Sequence, residues 1–304
     1  MPIFQPGLVH TPVTPFTREY RIDFDSYGKL IEFHLRNGAQ ALAVQMHAGE
    51  SVSLSDAEQR NLLEFTIRQV KARVPVIAHV SDSGTAISAD RARYAEKAGA
   101  AAVIATTPYY WTPPPAMLLE HFAQIGSAVN IPFYVFYTPD EMGGTKLSTE
   151  VVLKLIDRLP NFAGVADASL DWQFMINIVS NAWRVRPDFQ LLAGTEYMVS
   201  AGAVGATGMF SSLAGVAPGL VRQLYEICRK ERYFEARKLQ EEAAALRQIV
   251  KRPGFAGLKG AMRAMGRDCG EPRPPLDALG AGGYEKLAAE LGALAVLRGE
   301  PRGW

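Results

Sequence analysis

The stretch "VPVIAHVSDSGTAISADRARYAEKAGAAAVIATT", residues 74–107, decides the fold. It opens on an apolar run, "VPVIAHV", and closes on another, "AAVIATT". Neither alternates polar with apolar residues, as a strand with one wet face would, so both faces are expected to be covered. Between them lies a stretch with helical spacing that ends at Gly99, where a helix C-cap belongs. A strand, a crossover helix and a second strand make the two strands parallel.

The same unit recurs in both directions. Apolar runs stand at "GLVHTPV", "ALAVQM", "IPFYVFY", "FAGVA", "FQLLAG" and "GATGMF", which makes eight with the two above. Amphipathic stretches separate them. In "FDSYGKLIEFHLRNGA", Leu30, Ile31 and Phe33 fall near one face. "LSDAEQRNLLEFTIRQV" opens with Ser55 and Glu58 at capping-box spacing, each side chain satisfying the other residue's free backbone N–H. Eight strand–helix units in 304 residues predict an α/β (β/α)8 TIM barrel. An open doubly wound sheet would want a phosphate loop after its first strand, and "VHTPVTPF" is not one. After the eighth run only helical periodicity remains, broken at "RPGF" and "GEPRPPLDALGAGG". The expected organisation is a barrel over residues 1–225 and a helical C-terminal appendage over 226–304.

Composition narrows the function. The chain is 48% hydrophobic and 21% charged, with a net charge of +1, so no basic excess points to nucleic acid. No run approaches the length of about 20 apolar residues that spans a bilayer. "MPIFQPGLVH" has neither a charged n-region nor a long apolar core, so no signal peptide is expected. Two cysteines, Cys228 and Cys269, lack metal-type spacing and fit a reducing compartment. A cytoplasmic protein is expected.

In such barrels the reactive groups come from the C-terminal ends of the strands. Those ends offer His10 and Thr14, then His47, Gly49 and Glu50, then His79, Ser81 and Asp82. Thr106, Thr107, Tyr109 and Tyr110 follow, then Tyr137, Asp140 and Glu141, Ala166 and Asp167, Gly194 and Glu196, and finally Ser211 and Ser212. The three histidines lack the paired spacing of zinc barrels, and pocket histidines with ordinary partners are the favoured reading, so neither metal nor cofactor is expected. G-x-S-x-G, P-loop and dinucleotide glycine patterns are absent. "MHAGES" is a glycine turn with a following carboxylate. Its N–H groups suit a substrate carboxylate, and a plain strand-to-helix turn accounts for it equally well. Tyr110 and Tyr137 end neighbouring strands, and a buried tyrosine needs a partner for its hydroxyl.

Taken in order, "VTPF" (13–16), "MHAGESVSLSDAEQ", "TTPYY" (106–110), the "FY" ending at Tyr137, "FAGVADAS" and "LLAGTE" resemble the dihydrodipicolinate synthase / N-acetylneuraminate lyase family of class I aldolases. The resemblance covers most of the chain. It implies a lyase, an aldolase or dehydratase acting on a 2-oxo acid such as pyruvate, and a homo-oligomer built as a dimer of dimers. It also implies a lysine at the position of Ala166, the amine that would attack the ketone to form an iminium electron sink. Alanine cannot do this. The resemblance implies a proton relay of Tyr137, His47 and Tyr110, the last reaching into a neighbouring subunit. Implied substrate contacts are Ala48, Gly49, Glu50, Met142, Gly194 and Thr207. Glu50 reads better as a brace for its turn than as a base, because a free carboxylate would repel an anionic substrate.

Where the family carries two hydroxyl residues before Gly-Glu, this chain has His47 and Ala48; where its synthases carry an arginine, it has Met142. Tyr109, Trp111, Phe136 and Met142 suggest an apolar or aromatic acyl half. Two accounts of Ala166 stand side by side. Gly164, Val165, Asp167 and Ser169 still fit the motif, as in an engineered Lys→Ala variant. The other departures fit a natural loss. Three readings follow: a lyase scaffold lacking its nucleophile, a keto-acid-binding pseudoenzyme, and a Schiff-base-independent lyase using His47 and Tyr137.

Overall fold

The computed structural model describes residues 4–141, 143 and 145–304. Strands and helices alternate as the sequence predicts. They run β1 (Leu8–His10), α1 (Phe24–Arg36), β2 (Ala41–Val44), α2 (Asp56–Val70), β3 (Val76–His79), α3 (Thr85–Ala98), β4 (Ala102–Thr106) and α4 (Pro115–Ser127). They continue with β5 (Phe133–Tyr137), α5 (Thr149–Arg158), β6 (Phe162–Asp167), α6 (Trp172–Val185), β7 (Gln190–Ala193), α7 (Met198–Ala203), β8 (Gly208–Ser211) and α8 (Pro218–Arg229). The strand order is the closed ring β1 to β8, a TIM barrel. Three C-terminal helices follow: α9 (Tyr233–Lys251), α10 (Ala256–Ala264) and α11 (Ala281–Ala293). Local chemistry sets the ends. Ser55 accepts from the Glu58 N–H while Glu58 accepts from the Ser55 N–H, the full capping box on α2. Gly99 closes α3 at φ 100°, a left-handed conformation that glycine adopts without strain. Leu30, Ile31 and Phe33 are buried on one side of α1.

Contacts divide the chain into two compact units, Met1–Gly7 with Pro75–Phe210, and Leu8–Val74 with Ser211–Trp304. In the first unit the register fixes which side chains face inward. Residues paired directly across parallel strands share a face, and faces alternate along a strand. Phe136 of β5 and Phe210 of β8 sit with ring centroids 5.8 Å apart although their strands are not neighbours. That contact crosses the interior. The pairs Thr106↔Phe136, Phe136↔Ala166 and Ala166↔Leu192 then place all five residues on the inner face. Two residues earlier, Tyr134, Gly164 and Gln190 form the layer below. The Tyr134 hydroxyl donates to the Phe4 carbonyl (3.1 Å), and the Gln190 amide donates to it at 2.7 Å. At Gly164 a Cβ would lie 2.3 Å from the Gln190 carbonyl oxygen, so β6 and β7 meet there only without a side chain.

In the second unit the buried guanidinium of Arg267 organises the C-terminal chain. It donates to the carbonyls of Gly215 (3.0 Å), Val216 (3.1 Å), Pro301 (2.8 Å) and Gly303 (2.9 Å), and its carbon lies 4.1 Å from the Phe33 ring centroid. A guanidinium carries five donors in a fixed plane, which suits it to gather carbonyls left over where helices end. Among the described residues no helix is long and apolar enough to cross a membrane.

Candidate active site

On β6 the position that attracts attention is Ala166. It is fully buried on the inner face, with Phe136 as its register partner on one side and Leu192 on the other. Phe210 meets Phe136 across the interior. The inner ends of β5 to β8 therefore present Phe136, Ala166, Leu192 and Phe210, a wall with no polar side chain. Polar groups of the inner face lie on β3 and β4. His79 shares the inner face with its register partner Ile104. Its Nε2 lies 2.7 Å from Ser81 Oγ, which also accepts the Thr106 backbone N–H at 2.7 Å.

This register corrects one expectation. Tyr137 is the partner of Asp167 and not of Ala166, so it faces outward, where its ring packs against Phe174 of α6 at 4.8 Å. Along a strand one residue is half a period, and an offset of one reverses the face. Burial raises the Tyr137 phenol, with Asp167 adding to the effect. The inner-face residue at this level of β5 is Phe136, which has no proton to relay. Asp167 is buried on that outer side; one carboxylate oxygen accepts from the Ser169 hydroxyl (2.7 Å) and the other has no hydrogen-bond partner among the described residues. Burial lifts its carboxyl to about 6.

Tyr110 does extend outward. It is 87% exposed, its backbone is left-handed at φ 72°, and its ring stands edge-on to the exposed Trp111 at 4.9 Å. Neighbouring Tyr109 is half-buried, with its carbonyl accepting from the Ser83 hydroxyl. Arg91, which pairs with Asp82 at 3.1 Å, hydrogen-bonds the Tyr109 side chain. Gly194 fits tightly at the end of β7: its N–H donates to the Asp167 carbonyl (2.6 Å), and a Cβ would lie 2.7 Å from the Ala168 nitrogen. Thr207 requires a second correction. It precedes β8, and its N–H donates to the carbonyl of Leu191, near the start of β7. It thus stands at the N-terminal edge of the sheet, the end associated with stability and opposite to the reactive end. Met142 lies outside the described residues.

In the second unit the turn after β2 is a short 3₁₀ helix, His47–Gly49. The Gly49 and Glu50 N–H groups already donate to the carbonyls of Met46 (2.9 Å) and His47 (3.0 Å). An anion at this turn therefore has at most the N–H groups of His47 and Ala48. The His47 ring packs on Phe255 at 4.5 Å. Glu50 has a left-handed backbone (φ 56°), a conformation disfavoured for a residue with a Cβ. Its carboxylate holds it there by accepting from Lys259 Nζ at 2.6 Å and from the Arg273 backbone N–H at 2.9 Å. Both side chains of the Glu50–Lys259 pair are 3% exposed. Burial pulls the Lys259 ammonium below its usual value, Glu50 opposes that pull, and Nζ lies 4.3 Å from the Phe16 ring centroid. Arg273 extends the brace to the α2 cap, donating to both Glu58 oxygens (2.8 and 3.0 Å), which holds that carboxyl down at about 2. Lys259 and Arg273 carry no local motif and were not legible as partners of Glu50. His10, at the end of β1, turns to His34 of α1, with Nδ1 atoms 3.1 Å apart. The three strand-end histidines thus have separate environments. Among the described residues no group of three or more His, Cys, Asp or Glu side chains is arranged for a metal.

The dihydrodipicolinate synthetase family model matches residues 5–294. A 4-hydroxy-tetrahydrodipicolinate synthase from Methanopyrus kandleri is 32% identical over 295 residues, covering 96% of this chain and 97% of its own. An uncharacterised DapA-like lyase from Halobacterium salinarum is 30% identical over 96% of this chain and 94% of its own. Among solved structures, dihydrodipicolinate synthase from Thermotoga maritima superposes with a TM-score of 0.89 at 26% identity, covering 96% of this chain and 99% of that one. With the closed barrel and a match across nearly its whole length, this chain belongs to the dihydrodipicolinate synthetase family, whose members are aldolase-type lyases.

Proposed function

We propose that this chain is a lyase-family barrel that holds a small 2-oxo acid without forming an iminium. The observation that carries the reading is the inner face of β6. The position assigned to the family's lysine holds Ala166, fully buried, with Phe136 beside it in register. Neither Ala166 nor Phe136 offers a 2-oxo acid placed there an amine to attack its ketone or a phenol to move a proton. The Phe136 register also favours natural loss over a single engineered replacement, because an engineered Lys→Ala change would leave a tyrosine on the facing strand. The alternative relay of His47 with Tyr137 loses support, since Tyr137 faces α6.

The reading includes a homo-oligomer arranged as a dimer of dimers, supported by the exposed Tyr110 and Trp111 rings, and a cytoplasmic location, supported by two free cysteines. Sedimentation that finds only a monomer at micromolar concentration would overturn the oligomeric part.

The test of the chemistry is pyruvate with borohydride, read by intact mass, beside calorimetry with pyruvate and longer 2-oxo acids. The expected result is binding with no reduced adduct. An adduct on the unaltered chain would show that another amine serves, and absence of binding by every 2-oxo acid would remove the ligand class.

A further inference from the structure

We propose that Ser81 and His79 form a nucleophile–base pair able to accept an acyl group from a small apolar ester, an activity independent of the 2-oxo-acid reading. The two residues stand two apart at the C-terminal end of β3, the end where barrel chemistry is sited. His79 faces inward by its register with Ile104, and Ser81, two residues further on, brings its hydroxyl to the His79 ring on that side. Oγ and Nε2 are 2.7 Å apart, within reach for direct proton transfer. With the imidazole proton on Nδ1, the Ser81 hydroxyl donates to Nε2, while the Thr106 N–H (2.7 Å) donates to Oγ. That second bond strengthens as Oγ gains negative charge and so favours the alkoxide. The pair is 5% and 7% exposed, so water competes little for either group. The inner ends of β5 to β8 are the apolar residues Phe136, Ala166, Leu192 and Phe210, which suit a hydrocarbon acyl chain and offer no charge to hold a polar one.

The step balances with the ester and water as reactants. Oγ attacks the ester carbonyl and its proton passes to Nε2. The C–O bond to the leaving alcohol breaks and the alcohol takes that proton. Water then attacks the acyl–Ser81 ester, giving up a proton through His79 to Oγ and releasing the carboxylic acid.

The experiment follows p-nitrophenolate release from p-nitrophenyl acetate and butyrate by the full-length protein, with peptide mass mapping of the acylated chain. The expected result is a burst with the acyl group on Ser81. Ser81→Ala should abolish that burst. His79→Gln, which retains a hydrogen-bonding group, should slow it by about 10²-fold or more. Ser81→Cys keeps a nucleophile and should be acylated at the same position, which guards against loss of the Ala variant through misfolding. Acylation only at surface lysines or at His79, or no burst above that of Ser81→Ala, overturns the proposal.

Discussion

Replacing Glu50 by Gln keeps the volume and removes one charge from a buried pair. In the folded protein the Lys259 ammonium meets the Glu50 carboxylate at 2.6 Å, the Glu271 carbonyl at 3.2 Å and the Phe16 ring. Only the first carries a full opposite charge. With both side chains 3% exposed, little water can replace it. Removing one member of a buried pair typically costs about 3–5 kcal/mol, because the other charge stays buried without compensation. Glu50→Gln retains some hydrogen bonding, so a loss near 3 kcal/mol is expected. It should appear as a lower urea midpoint with an unchanged slope, followed in parallel by circular dichroism and tryptophan fluorescence. Adding Lys259→Met should return much of the loss, since the charge left alone is then gone; the coupling across the cycle should exceed about 1 kcal/mol. Arg68–Glu64, at 3.4 Å and well exposed, is the internal control, and Glu64→Gln should change stability by less than about 0.5 kcal/mol. A loss below about 1 kcal/mol for Glu50→Gln, or no recovery in the double variant, would refute the view that this pair holds the left-handed turn after β2.

Three further outcomes are expected. Ala166→Lys should destabilise the fold by about 1–3 kcal/mol by overpacking the layer closed by Phe136 and Phe210, and thermal unfolding will show it; a neutral effect would mean that the space above Ala166 is open. Asp167, lifted from its ordinary 3.8 to about 6, keeps its proton longer in the folded state, so its contribution is full below about pH 4 and is lost as pH rises through 6. That difference is worth about 3 kcal/mol, and Asp167→Asn should flatten stability between pH 4 and 6; an unchanged pH profile would argue against it. Gly164→Ala puts a Cβ against the Gln190 backbone and should lower stability by at least about 2 kcal/mol, whereas Gly292→Ala, with open space around it, should not.

The fold was legible because its signals are local and repeated. Eight apolar runs, the Ser55–Glu58 box and the Gly99 cap each encode one element, and the covered faces of the runs encode parallel packing. The site was legible to the level of strand ends and no further. "FYVFYTPD" carries aromatic residues at both parities, so nothing local says whether Phe136 or Tyr137 faces inward. That choice is made by pairing with β6 and by the Phe136–Phe210 contact, which join distant parts of the chain. The turn at Glu50 failed to declare itself for the same reason: its partners Lys259 and Arg273 lie more than two hundred residues downstream.

Phe136 and Ala166, read together, bear on what the inner face of β6 can do. A lysine lost alone leaves a cavity and an amine-shaped gap that an exogenous partner can fill. Here the residue facing the gap is a phenyl ring that reaches a second ring across the interior, and Ala166 is wholly covered. A lysine at position 166 would therefore share the layer with two aromatic rings. The polar groups that remain inward, His79, Ser81 and Thr106, are bonded to one another on β3 and β4. The inward polar groups of this unit that the register identifies thus stand on β3 and β4, and not at Ala166 on β6.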